Sequence, residues 1–462
     1  MSRILLAGAG PLPGPDLRKV YAPGLRLDAF RRALQDAGHS VYLAEMHFGG
    51  QAPEDAPAPP AGLAGHLTLQ EDPAAAAEQI TAWAAECSPE AAVALADSPS
   101  LAVALSGYRG PLHVDYFGHP MAERQQQAHV HDSDEALADQ WLHVLPVLLR
   151  ADRFSVVSPS QRLALIGELG AAGRLNSRTC HHELVDVVPP AMPFAEPFSL
   201  REPGLLSRLG VPEDARTILS TGGFNTWFDE ETLFRGLEMA MDRDPAIHFI
   251  ATGGRIEGHV GVVFDQFQAR VAQSRFRERF HLVGWVPHRD LEDLMLLCAV
   301  AVNCDRWSVE GELGCRNRLL GWLWAGLRVV TTVCSDSTRE LVERGHVRPV
   351  PDGDPEALAL ALLRALAAGR PADSERLRQE LQAQWPGEGA FQPLLKWLES
   401  PVPAPDRAAG DVTNPLADAQ RRFHRANEAA ELVDRLLGSR AFRILARTRP
   451  GIHALVKRLR RP

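Results

Sequence analysis

RTILSTGGFNTWFDEETLFRGLEMAMDRDPAIHFIATGG, residues 216–254, contains two short apolar runs that each end in paired glycines, with helical text between them. A β-branched run followed by glycine and then an amphipathic segment reads as a strand, a tight turn and a helix. The unit recurs downstream, with strands at RFHLVGW (279–285), AVAVNC (299–304) and LRVVTT (327–332). Helical text separates them, including LEDLMLLC (291–298), NRLLGWLWAG (317–326) and PEALALALLRALAAG (355–369). Upstream the same alternation gives strands at RILLAG (3–8), SVYLAE (40–45), AAVALA (91–96), PLHVDY (111–116), FSVVSP (154–159) and VDVVPP (185–190). Helical segments there include LDAFRRALQDAG (27–38), PAAAAEQITAWAAEC (73–87) and ALADQWLHVLPVLLRAD (136–152). Strands alternating with helices imply βαβ units and mostly parallel sheets.

The proline-rich stretch PPAMPFAEPFSLREP (189–203) lacks periodicity and suits a linker between two such halves. The expected division is therefore 1–195, 196–400 and a third section, 401–462. Two doubly wound halves form a cleft, and ligands bind such sheets outside the carboxyl ends of their strands. A chain of 462 residues accommodates this arrangement.

Composition bounds the function. Hydrophobic content of 45%, 23% charged residues and a spread net charge of −9 describe an ordinary globular body and argue against a nucleic-acid partner. No apolar run approaches the roughly 20 residues that span a bilayer. The opening MSRILLAGAG reads as a first strand and turn rather than a signal peptide. Six cysteines without a C-x-x-C pair read as reduced core thiols, which suits a cytoplasmic protein. The third section carries an expected helix from about Leu416 to Leu437. From Arg435 onward it holds nine Lys/Arg and no acidic residue. That tail reads as a solvated segment packing on the body, or as a basic patch giving peripheral contact with a membrane.

Four strand ends in the second half finish in glycine or polar residues: Thr221-Gly222-Gly223, Thr252-Gly253-Gly254, Gly284-Trp285-Val286 and Asn303-Cys304-Asp305. Together they describe a rim of backbone donors suited to a nucleotide. The loop Glu310-Gly-Glu312-Leu-Gly314-Cys-Arg316-Asn-Arg318 then opens a helix. A helix start offers free N–H groups, and Arg316 and Arg318 add a planar cationic fork matched to phosphate. The alternative is that both arginines pair with nearby carboxylates. Glu310 and Glu312 are placed to bind sugar hydroxyls.

These elements, TGGFNTWFD, GWVPHRDL, SVEGELGCRNRLLGWLWAGL and RVVTT, resemble the C-terminal domain of a retaining GT-B glycosyltransferase of family 4. The W-F-D after the double glycine, and the Glu followed by R-x-R, resemble a polysaccharide-assembly subgroup. The resemblance implies a GT-B fold of two Rossmann-like domains with a C-terminal helical extension. It implies metal-independent hexosyl-type transfer, with retention, from a nucleoside-diphosphate sugar to a glycan, lipid-linked or protein acceptor. No cofactor or metal is expected. It assigns Gly222, Gly223, Trp227, Asp229, Gly253, Trp285, Val286, Asp305, Glu312, Arg316 and Arg318 to the donor, and Glu310 to the transferred sugar. Two features depart from the pattern. Arg318 stands eight residues after Glu310, where the family carries a second glutamate, and the first glycine loop has no basic residue.

The first half should hold the acceptor. Gly8-Ala9-Gly10, with Pro11, Pro13, Gly14 and Pro15, forms a glycine-proline loop after the first strand. Gly10, Gly14 and Asp115 are the acceptor-side candidates. His119 is the catalytic candidate, because the family often keeps a histidine against the donor sugar in this region. His129, His131 and the His181-His182 pair lack partners at zinc-ligand spacing. Two other readings stay open: a GT-B epimerase or inverting transferase, and a catalytically silent sugar-nucleotide-binding or scaffold protein.

Overall fold

A computed structural model describes residues 2–47, 58–190, 196–255, 261–385 and 389–408. The first half builds a seven-stranded sheet from β1 (Arg3–Gly10), β2 (Ser40–His47), β3 (Gly65–Leu69), β4 (Ala91–Leu95), β5 (Leu112–Tyr116), β6 (Arg153–Val156) and β7 (Val185–Val187). Its order is β3-β2-β1-β4-β5-β6-β7. The second half builds six strands: β8 (Arg216–Ser220), β9 (Ile247–Thr252), β10 (Phe280–Gly284), β11 (Val300–Asn303), β12 (Arg328–Thr332) and β13 (Val347–Val350). Their order is β10-β9-β8-β11-β12-β13. Every ladder in both sheets is parallel. Each sheet reverses direction once, at β1/β4 and at β8/β11, and that crevice is where doubly wound sheets take ligands.

All the strands expected from the sequence are present, and two more join them. β3 is a half-exposed edge strand, and β13 carries Pro349 at an edge where a missing N–H costs no ladder bond. The central strands β4 and β5 are wholly buried; β4 accordingly reads as continuous apolar text, whereas β5 also buries His113 and Asp115. Helices start on side-chain caps that satisfy otherwise orphaned N–H groups: Asp72 accepts from Ala75 N, Ser158 from Gln161 N, and Asp354 from Ala357 N.

Among its described residues the 189–203 stretch has no helix or strand, and it is tied to the second half. Asp293 accepts from the Arg201 and Glu202 amides at 3.0 and 2.9 Å. After the second sheet the chain returns to the first. Phe391, Leu394, Trp397 and Leu398 pack with Ile4, Leu6, Phe30, Val41 and Val93 in one apolar cluster. Asp406 then forms a buried pair with Arg174 at 2.6 Å, and Arg407 meets Asp152 at 2.9 Å. The expected helix from Leu416 to Leu437 and the basic tail lie outside the described residues. Among the described residues, no helix is long and apolar enough to cross a membrane. All six cysteines are free thiols.

His113, on β5, is fully buried with no hydrogen-bond partner on either ring nitrogen, and its ring lies 5.8 Å from that of Trp397. Burial, reinforced by the Arg153 and Arg26 charges, pushes its pKa down to about 3. The folded state therefore keeps this imidazole neutral while the unfolded chain protonates it near pH 6.5. Stability from this residue is full above pH 6.5 and is lost as pH falls from 6.5 toward 3. His113→Phe should remove one proton from the pH slope of unfolding, about 1.4 kcal/mol per pH unit between pH 6 and 4. Urea unfolding at several pH values reads this directly, and an unchanged slope would count against it.

Candidate functional site

Past the β8 and β9 ends, Gly222 and Gly253 adopt φ of +89° and +82°. A Cβ on Gly253 would sit 2.3 Å from the Gly222 carbonyl oxygen, so only glycine lets these two loops touch. The chain then crosses to the β11 end. The Asp229 amide donates to the Cys304 carbonyl at 2.8 Å, the Arg306 amide donates to the Trp227 carbonyl at 2.9 Å, and Phe228 bridges Asp305. Asp229 is itself a helix cap, accepting from Thr232 N at 3.2 Å and pairing with Arg306 at 3.1 Å. The W-F-D motif is thus a clasp between the two strand ends that flank the crevice.

The clasp places Trp227 over Arg316, whose guanidinium carbon lies 4.9 Å from the ring centroid. Arg316 is buried and fully engaged. Its Nε donates to Asp305 Oδ2 at 2.6 Å, and its two terminal nitrogens donate to Glu310 at 3.1 and 2.8 Å. The carboxylates hold this guanidinium charged, above its usual range. Glu310 lies on the short helix Val309–Leu313, started by Ser308, which accepts from Gly311 N. Burial pushes its carboxyl up, and Arg316 pulls it back. Glu312 is half-buried, with no side-chain hydrogen bond among the described residues.

Arg318 points elsewhere. Its Nη2 donates to the Gly223 carbonyl at 3.1 Å and lies beside Gly222. No carboxylate among the described residues pairs with it, and burial pushes its pKa down to about 10. The two arginines therefore divide the alternatives left open by the sequence: Arg316 is bound by carboxylates, and Arg318 stands as a cation at the glycine loop. Gly222, Thr252, Gly253, Trp285 and Val286 line one slot with Arg18 and Val20 of the first half. Trp285 donates from Nε1 to the Arg255 carbonyl at 3.1 Å and meets Tyr21 edge-on at 5.4 Å.

The first half closes over this surface. The Leu17 and Pro15 carbonyls accept from the His288 and Arg289 amides, and Asp16 pairs with Arg289. Gly14 belongs to this bridging loop and lines a cavity of about 240 Å³ with Arg201, His288 and Glu292. Gly10 lies deeper, where a Cβ would be 2.0 Å from Glu45 Oε1, the oxygen that accepts from Leu12 N. Asp115 does not reach the cleft. It is fully buried, and its oxygens accept from Arg26 at 3.0 and 2.8 Å and from Ser155. Arg26 was not apparent in the sequence, because its partner lies 89 residues away.

His119 caps the helix Pro120–His131, its Nδ1 accepting from Ala122 N at 3.3 Å. That contact leaves the proton on Nε2, which faces Glu168 Oε1 at 3.5 Å. Burial lowers the His119 pKa, while burial and the Asp97 charge push Glu168 up to about 7. The helix Pro120–His131 packs on Val309–Leu313, which brings Glu123 under the charge of Glu310. The sequence reading missed both Glu123 and Glu168. For Glu123 the available signal was its place in the first turn after His119-Pro120. Among the described residues, no group of three or more His, Cys, Asp or Glu is arranged to hold a metal ion.

Residues 215–368 match the family described as Glycosyl transferases group 1, a span that holds the glycine loops, the clasp and both arginines. No curated protein matches the chain. Among solved structures it is similar to HepE of Anabaena in complex with UDP-glucose, at 14% identity and a TM-score of 0.62, covering 87% of this chain and 100% of that one. It is also similar to sucrose-phosphate synthase from Thermosynechococcus elongatus, at 16% identity and 0.57, covering 91% and 100%. A trehalose-6-phosphate protein from E. coli bound with UDP-2-fluoro glucose aligns at 12% identity and 0.58, covering 87% and 100%. The chain has the GT-B fold: two Rossmann-like α/β domains facing one cleft.

Proposed function

We propose that this protein is a glycosyltransferase that moves a sugar from a nucleoside-diphosphate sugar to an acceptor held by its first half. The observation that carries the reading is Arg318, a cation without a carboxylate partner among the described residues, set against the Gly222–Gly223 loop beside the Glu310–Arg316–Asp305 assembly. A diphosphate supplies the missing anion, and its leaving charge is stabilised by a guanidinium already in place. The slot at Thr252, Gly253, Trp285 and Val286 suits the nucleoside end. Glu310 keeps lone pairs beyond those given to Arg316 and so holds the sugar hydroxyls. UDP is the first nucleotide to test, since similar folds have been captured with UDP-sugars. Retention and metal independence are part of the proposal, and both rest on the motif resemblance.

A thermal-shift panel of UDP-, GDP-, ADP- and dTDP-sugars tests the donor class, because a ligand at one hundred times its Kd adds about 2.7 kcal/mol. Glu310→Gln keeps the size of the side chain but replaces one of the two oxygens that accept from Arg316 with an NH2 group, and it should abolish sugar transfer while nucleotide affinity holds. Full transfer by that variant would remove Glu310 from the sugar site. The anomeric configuration of the product, read by NMR, decides retention.

A further inference from the structure

We propose that Glu123 completes the reaction site from the first half, as the base that takes the proton of the attacking acceptor hydroxyl. The inference rests on the glycosyl-transfer reading above.

Glu123 is half-buried in the first turn of the helix Pro120–His131. Its carboxyl is pressed against Gly118, where a Cβ would stand 2.0 Å from Oε1. Its helix packs against the one that carries Glu310, and the negative charge of Glu310 acts on it across the two halves of the molecule. Among the described residues it makes no side-chain hydrogen bond and no ion pair. The cations around it are occupied elsewhere. Arg124 donates to Gln140 Oε1 at 3.1 and 3.0 Å and to Gln127 at 2.8 Å. Arg316 is spent on Asp305 and Glu310. Asp97, the remaining charged neighbour, accepts from Gln140 Nε2 at 2.9 Å. A carboxyl set between two halves with no partner gains nothing for stability from its position.

Its surroundings also tune it. Burial, Glu310 and Asp97 push the Glu123 pKa up to about 8, against the pull of Arg316 and Arg124. A general base works best with a pKa near the working pH. In the step, the acceptor oxygen forms its bond to the anomeric carbon on the face from which the diphosphate departs, as retention requires, and the bond from that carbon to the diphosphate oxygen breaks. The electron pair leaves on the diphosphate beside Arg318, and the acceptor proton passes to Glu123. With water as acceptor the same balance gives hydrolysis.

The test uses the full chain and follows nucleotide release from UDP-glucose, GDP-mannose, ADP-glucose and dTDP-glucose without added acceptor, alongside binding of the free nucleoside diphosphates. The parent protein should show kcat/KM rising with pH and levelling above about pH 8, as Glu123 ionises. Glu123→Gln should lose at least about 100-fold in kcat and the rising limb with it, while nucleotide affinity stays within about threefold. Glu123→Asp should recover part of the rate and keep a rising limb. Nucleotide binding with an unchanged rate or pH profile in Glu123→Gln overturns the proposal and leaves the glycosyltransferase reading standing. Parent protein that neither binds nor turns over any of the four overturns that reading, and this inference with it.

Discussion

Arg316→Ala should destabilise the protein by about 3–5 kcal/mol, more than any other single change considered at the site. Removing the guanidinium strands two buried carboxylates, Asp305 and Glu310, each at 2% exposure, within reach of one another. Neither has another cation at hydrogen-bonding distance among the described residues. Asp305 already has one oxygen, Oδ1, without a partner. The Trp227 face would lose its cation as well, a further 0.5–2 kcal/mol or so. Arg316→Lys restores charge but not the fork that reaches both carboxylates, so its recovery should be partial. The decisive comparison is the triple change Arg316→Ala, Glu310→Gln, Asp305→Asn, which removes the stranded charges and should regain part of the loss in urea unfolding. A midpoint for Arg316→Ala equal to that of the parent would show that the assembly contributes nothing to stability.

Arg318→Ala, two residues further on, should behave in the opposite way. Among the described residues this guanidinium has one hydrogen-bond partner, the Gly223 carbonyl, and burial works against its charge. Its loss should leave the ligand-free protein as stable as before, or more so. Binding of a nucleoside diphosphate should weaken tenfold or more, since a hydrogen bond to a charged group is worth about 1.5–3 kcal/mol. Binding of the bare nucleoside should be unaffected. Calorimetric titration with UDP and with uridine separates the two contributions, and parallel losses for both ligands would move Arg318 away from the phosphates.

Those opposite outcomes show where the sequence was informative and where it stopped. The strands along the chain and the parallel sheets were legible because most strands are apolar runs ended by glycine or a polar residue. β3 and β13 were not, because an edge strand needs neither continuous burial nor every N–H. The W-F-D and R-x-R motifs were visible as separate strings. That they meet, with Trp227 over Arg316, required the crossing between the β8 and β11 ends. Arg316 precedes the helix Asn317–Trp324 as its cap and turns back to Glu310, whereas Arg318 lies inside the helix and turns toward Gly223. Residues two apart at a helix start do not share a direction, and the spacing alone could not say which would find carboxylates. Asp115 looked like a cleft acid from its strand-end position, but its partner Arg26 belongs to a helix of quite different sequence neighbourhood. Glu123 acquires its meaning only when the second half is folded against it.

The return of the chain to the first sheet also sets the order in which the molecule can be made. One face of that sheet is covered in part by Phe391, Leu394, Trp397 and Leu398, and Arg174 in the first half is neutralised by Asp406. Once the first 190 residues have emerged from the ribosome, every strand of that sheet is present but not the side chains that seal it, nor the carboxylate that pairs its buried arginine. The second sheet spans 216–350 and its cores are completed by residues such as Leu358, Leu362, Leu381 and Trp385, all made before Phe391, so it can close first. Domains of a growing chain commonly fold from the N-terminus onward. Here the part made first stays incompletely covered until about residue 408 has emerged.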